Sequence, residues 1–152
     1  MKVRIEIDEN LEEDEVIIKC KELNASIKKL QQDISNIKTP KIVFYKNEIE
    51  YYLPLNPILF FETSENNVYA HTEKEIYKIK YRLYELEELL PTSFVRVSKS
   101  TILNVNQVYS IDKNITSSSI VQFFESYKKV YVSRNYYKIL KQRLEERRNY
   151  EI

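Results

Sequence analysis

The chain contains no glycine and no tryptophan among its 152 residues, and only one cysteine, one histidine and one methionine. Each absence removes a class of site. Phosphate-cradling loops, dinucleotide-binding turns and nucleophile elbows all use glycine where the backbone bends sharply or closes on a ligand, so none is expected in its usual form. A lone Cys20 builds no disulfide framework, and no Cys/His pair has metal-site spacing, so neither metal nor cofactor is expected. In the run Val16-Ile17-Ile18-Lys19-Cys20 the thiol reads as a small packed apolar group, with a reactive thiol as the alternative. The single histidine, His71, lies inside Val68-Tyr69-Ala70-His71-Thr72 and reads as a strand residue rather than a catalyst. No apolar run approaches the roughly 18 residues that a membrane-spanning helix needs. The start, Met1-Lys2-Val3-Arg4-Ile5-Glu6-Ile7, lacks the apolar core of a signal peptide, and a cytoplasmic protein is expected.

Without glycine, turns that require positive φ fall to asparagine, and Asn10, Asn47, Asn66, Asn67 and Asn114 stand where turns are expected. Thirteen tyrosines and many β-branched residues favour strands. A hydrophobic fraction of 43% with 31% charged residues is that of a globular chain. The net charge of +1 conceals an asymmetry. Residues 1–40 carry 7 cations against 9 anions, residues 41–90 carry 6 against 9, and residues 91–152 carry 11 against 5. A polyanion would be held by the last third.

Two segments are expected: an N-terminal α/β arm over residues 1–40 and a mainly β domain with short helices over 41–152. In the arm, Val3, Ile5 and Ile7 alternate as a strand, a second apolar run spans residues 16–18, and Leu23, Ile27, Leu30, Ile34 and Ile37 form a helical stripe. That stripe either covers a small sheet or makes a dimer contact, and Thr39-Pro40 closes it. Beyond it, strands are expected at 42–45 and 49–53 around an Asn47 turn, at 58–62, near 68–72 and near 75–80. A helix through Leu83, Leu86, Leu89 and Leu90 is closed by Pro91. Phe94 to Val97 then leads into a brief helical turn through Ser100 to Leu103, with strands near 107–111, 119–124 and 128–132. A final helix from about Arg134 to Arg147 buries Tyr136, Ile139, Leu140 and Leu144.

Two short basic knuckles stand out, Val97-Ser98-Lys99-Ser100 and Val132-Ser133-Arg134-Asn135. Ser98 and Ser133 read as helix caps, and Lys99, Ser100, Arg134 and Asn135 would then face a phosphate or a base edge. The plain alternative is an ordinary cap beside a solvated cation. At Arg134 the cation would sit against the positive helix end, unfavourable by roughly 0.3–1 kcal/mol, which suggests an external anion. Its planar fork suits guanine O6 and N7. Lys138, Lys141, Arg143, Arg147 and Arg148 extend a basic surface along the helix, with Lys138 a phosphate contact. The polar loop from Glu62 to Asn67 is a third candidate: Asn66 and Asn67 suit adenine or phosphate, and equally a plain turn.

These stretches carry a family resemblance. Ile58-Leu59-Phe60-Phe61-Glu62 with its polar loop and Val68-Tyr69-Ala70-His71-Thr72, the helix Leu83 to Leu90, Phe94 to Asn104, and Val130-Tyr131-Val132-Ser133-Arg134 resemble, in order and spacing, the LytTR DNA-binding domain of bacterial transcription regulators. The resemblance implies a β-rich domain that inserts loop residues into successive major grooves of double-stranded DNA, usually at paired sites. It puts base reading at Asn67, Lys99 and Arg134. Many members have histidine where Ser98 stands. No receiver domain precedes the DNA-binding part, so the chain resembles the stand-alone type; the resemblance then implies a homodimer and a membrane-bound inhibitory partner encoded nearby. The rival readings are a protein-interaction module that does not bind DNA, built on the helical stripe and the tyrosine-rich strands, and an enzyme of unrecognised type.

Overall fold

The computed structural model describes residues 1–36, 41–113 and 118–150. The chain forms two compact units, Met1–Ile37 and Lys38–Ile152. In the first, the helix α1 (Ala25–Asn36) begins where Asn24 caps it: the Asn24 side-chain oxygen accepts the Ile27 N–H at 3.0 Å. Ile27, Leu30 and Ile34 are half-buried, Leu23 precedes the helix and is exposed, and Ile37 lies outside the described residues. The strand expected at Val3–Ile7 and the apolar run at 16–18 join no ladder among the described residues, because two short runs without a third strand or a covering helix are marginal. Cys20 is exposed rather than packed, since the run before it finds no core to enter.

The second unit runs β1 (Phe44–Lys46), β2 (Ile49–Tyr51), β3 (Phe60–Ser64), β4 (Asn67–His71), β5 (Ile76–Ile79), α2 (Leu83–Leu89), β6 (Phe94–Ser98) and β7 (Thr101–Asn104). It continues through a 3₁₀ turn (Val105–Gln107), β8 (Val108–Asp112), β9 (Ser119–Phe123), β10 (Lys129–Val132) and α3 (Arg134–Tyr150). Antiparallel pairing gives a seven-stranded sheet, β2-β1-β5-β4-β3-β7-β6, and a three-stranded sheet, β10-β9-β8. Antiparallel sheets thus dominate, with few helices. The brief helix expected from Ser100 to Leu103 is instead β7, paired with β3 on one side and β6 on the other.

The reason is burial on both faces. Phe61 and Ile102 enter one core with Phe44, Ile58, Leu83 and Leu86, while their neighbours Phe60 and Leu103 enter a second with Val97, Val121, Val132 and Leu140. A strand buried on both faces reads as a continuous apolar run, which a short helix can mimic. Asn104, 1% exposed, closes β7: its side-chain amide donates to the Ile58 carbonyl at 2.9 Å and its oxygen accepts the Asn106 N–H at 3.1 Å.

Asparagine shares the positive-φ work with glutamate. The turns are Asn47-Glu48 (φ 51° and 65°) and Glu65-Asn66 (φ 51° and 65°), with Glu125 at 53°. Two consecutive positive-φ residues match the right-handed strand twist of a tight hairpin. Asn67 opens β4, Asn10 keeps negative φ, and Asn114 lies outside the described residues.

The face of α3 is rotated from expectation. Leu140 is fully buried with Tyr137 and Leu144 packed beside the same core, whereas Ile139 is 47% exposed. Arg147 turns inward and donates to the carbonyls of Val105 (2.5 Å) and Val108 (3.0 Å). We therefore expect Leu140→Ala to cost about 2–5 kcal/mol in a urea titration and Ile139→Ala to cost far less. Equal losses would contradict this register.

His71 joins the two sheets. It stacks on Phe60 at 4.2 Å between ring centroids, and Lys128, which follows β9, sets its ammonium 3.4 Å from His71 Nδ1 and donates to the Glu75 carbonyl at 3.1 Å. Nε2 lies 2.7 Å from a Glu62 carboxylate oxygen, though the alignment is too poor for a full hydrogen bond. Burial pushes the imidazole pKa down, and the Lys128 charge adds to this against the opposing pull of Glu62. A depressed folded-state pKa means the unfolded chain binds the proton more tightly, so the stabilising contribution is present above about pH 6.5 and is lost as pH falls below it. Because His71 is the one histidine, the melting temperature should decline from pH 7.5 to 5.5, and His71→Phe should flatten that slope. An unchanged slope in the variant would assign the effect elsewhere.

Candidate nucleic-acid interface

The antiparallel ladder brings three polar turns to one end of the second unit. Strand β3 arrives at the Glu65-Asn66 turn, β4 leaves it, β6 arrives at Lys99-Ser100, and β7 leaves that. Because β3 and β7 are neighbours, the two turns lie side by side, and the Thr63 N–H donates to the Ser100 carbonyl at 2.8 Å. The third element is attached by another backbone bond, from the Ser133 N–H to the Val97 carbonyl at 2.8 Å. That bond sets the start of α3 beside the end of β6. Arg134 is the first helical residue, and the Ser133 carbonyl accepts the Tyr136 N–H at 3.0 Å.

Seen from the residues, Asn66, Lys99, Ser100, Arg134, Asn135 and Lys138 are all exposed, and Asn67 is half-exposed. The Asn67 amide donates back to the Glu65 carbonyl at 3.3 Å, which braces the turn. Among the described residues, the Lys99 ammonium and the Arg134 guanidinium form no ion pair. Exposed cations without internal anions are available to an outside one.

Ser98 ends β6 rather than opening a helix. Its hydroxyl oxygen accepts the Ser100 N–H at 3.2 Å and lies 3.3 Å from the Ser100 hydroxyl, so the serines tie the turn around Lys99. A bulge between Arg96 and Ser98 tightens the strand just before this point. The basic surface along α3 is narrower than expected. Arg147 is consumed by the Val105 and Val108 carbonyls, Arg143 pairs with Glu146 at 3.4 Å, and the side chain of Arg148 lies outside the described residues. Lys138 and Lys141 remain exposed.

Arg96 is a positioning residue that sequence reasoning missed. Its Nε donates to the Ser98 carbonyl at 2.7 Å, a terminal nitrogen donates to the Lys99 carbonyl, and the other pairs with Glu87 of α2 at 2.8 Å. One fork thus fastens two successive carbonyls of the turn and is itself aimed by a helix. Its only sequence signal was a charge between two core valines, Val95 and Val97.

The LytTr DNA-binding domain family model matches residues 49–145, well over half of the chain. The chain belongs to the LytTR family. It is 30% identical over 147 residues to an HTH-type transcriptional regulator of Staphylococcus aureus strain NCTC 8325, covering 95% of this chain and 98% of that protein. A regulator of the same description from strain MRSA252 is 29% identical over equal shares. Among solved structures, the LytTr DNA-binding domain of a Bacillus cereus protein superposes with a TM-score of 0.63 at 25% identity, covering 69% of this chain and 97% of that one. The β architecture of this LytTR chain differs from what the relatives' description suggests: among the described residues, strands separate every pair of successive helices, so no helix-turn-helix is formed.

For this LytTR domain, Arg96→Ala should loosen the Lys99 turn without touching the cation itself. Hydrogen bonds from a charged group are worth about 1.5–3 kcal/mol each, so we expect weaker duplex binding and faster hydrogen exchange at Lys99 and Ser100. Faster exchange with unaltered binding would show that the turn does not need this support.

Proposed function

We propose that the chain is a sequence-specific transcription regulator that sets its three turns into successive major grooves of double-stranded DNA, at paired sites. The carrying observation is the gathering of Asn66 and Asn67, Lys99 and Ser100, and Arg134 and Asn135 at one end of the sheet, fixed by the Thr63–Ser100 and Ser133–Val97 backbone bonds. The chemistry supports the roles. Arg134 suits a guanine edge through its fork, Lys99 donates to a guanine or a phosphate, and the half-exposed Asn67 amide suits adenine. Ser100, Asn135 and Lys138 suit the phosphate backbone, which positions the reading groups without specifying sequence. The relatives described as transcriptional regulators support the same role for the whole chain.

The test is selection of bound sequences from random duplex DNA, followed by affinity measurements on the selected site. Arg134→Ala and Lys99→Ala should each lose about 1–3 kcal/mol of discrimination between that site and scrambled DNA. Both should melt within about 0.5 kcal/mol of the parent, since the side chains are exposed. Lys138→Ala should weaken all sequences alike and make the log–log salt slope less negative by about one unit. Failure to enrich any sequence, together with salt-insensitive binding, would overturn the reading.

A further inference from the structure

The first unit leaves an alternating strand-like segment uncovered. Val3, Ile5 and Ile7 are 85%, 90% and 89% exposed, so no described residue of the first unit covers them. The intervening Lys2, Arg4, Glu6 and Asp8 all line one cavity of about 500 Å³ together with Leu11, Glu15, Ile17 and Lys19, so odd and even side chains of residues 2–8 point to opposite sides, as in a β-strand. Its backbone is also unused. Among the described residues, the one backbone hydrogen bond between Met1 and Lys19 runs from the Leu11 N–H to the Asp8 carbonyl. An unpaired row of donors and acceptors beside an aliphatic face is a template for another strand.

The charge order of this segment specifies which strand. Residues 2, 4, 6 and 8 read plus, plus, minus, minus. Two copies paired antiparallel about Ile5 set Lys2 opposite Asp8 and Arg4 opposite Glu6, each pair formed twice, while Val3 meets Ile7 and Ile5 meets its own copy on the other face. Sliding the register by two residues either way sets Arg4 against Arg4 or Glu6 against Glu6. A slide of one residue puts charges against aliphatic groups. Parallel in-register pairing puts every charge against its like. Size argues in the same direction: the unit Met1–Ile37 is shorter than the roughly 40 residues below which a fold usually needs disulfides, metals or association. Cys20 is free, and no metal-holding cluster occurs among the described residues.

We propose that residues 2–8 form a homodimer interface, an antiparallel two-stranded ribbon with its two-fold axis at Ile5. The inference stands on this segment alone, so its failure and the failure of the DNA-binding reading are separately visible. Sedimentation equilibrium of the full chain should show a dimer. Arg4→Glu and Glu6→Arg should each raise the dimer Kd about tenfold or more, because each substitution creates two like-charge pairs. The double variant Arg4→Glu/Glu6→Arg should restore the parent value, since position 4 faces position 6. In a Cys20→Ser background, Ile5→Cys should form an intermolecular disulfide under mild oxidation, and Val3→Cys should do so far less, because only residue 5 meets its own copy within disulfide reach. A monomeric parent chain would overturn the proposal. So would single charge reversals that leave the dimer intact, a double variant that stays monomeric, or preferential crosslinking at residue 3.

Discussion

The second unit depends on the pair β3–β7, where Phe60, Phe61 and all of β7 are buried on both faces. Phe60 with Leu103 and Phe61 with Ile102 are cross-strand partners, and each pair drops into a different core. A one-residue slip would exchange Phe60 and Phe61 between two cores shaped for different partners, so the register has no near neighbour in energy. Everything at the candidate interface is measured from that register. The Thr63–Ser100 bond exists because Glu62 lies opposite Thr101, and the Asn66 turn is one step further along the same ladder.

Electrostatics then divides the surface by use. Cations that serve the fold are tied to carbonyls or carboxylates: Arg96 to the Ser98 and Lys99 carbonyls and Glu87, Arg147 to Val105 and Val108, Lys128 to Glu75 and His71. Among the described residues, the exposed Lys99, Arg134 and Lys138 form no ion pair. The basic excess of the last third of the sequence is therefore partly structural, and the part facing outward is smaller than a charge count suggests.

Much of this was legible in the sequence because strand spacing, proline breaks and polar turns carry their own geometry. The β3–β4 hairpin, the helix closed by Pro91 and the helix that starts after Ser133 lie where residue patterns put them. The misses share a cause: they depend on what another segment covers. Ser100 to Leu103 looks helical until β3 and β6 flank β7, and Ile139 looks like core until Tyr137 takes that side of α3. The inward bonds of Arg96 and Arg147 carry no sequence signal, because a sequence does not say which carbonyls lie within reach of a long side chain. In the arm, the alternation of Val3, Ile5 and Ile7 is plain, but a ladder needs a partner strand, and one chain does not supply it.

The left-handed turn at Glu65-Asn66 has an energetic consequence for the proposed recognition of DNA. Residues with a Cβ occupy φ of 51° and 65° there, a conformation that costs energy and leaves few alternatives. With no glycine to swivel, the tip is held in one shape before any ligand arrives. On the proposed DNA reading, the ordering entropy that a floppy loop surrenders on docking is here already spent during folding, so more of each contact would survive as affinity.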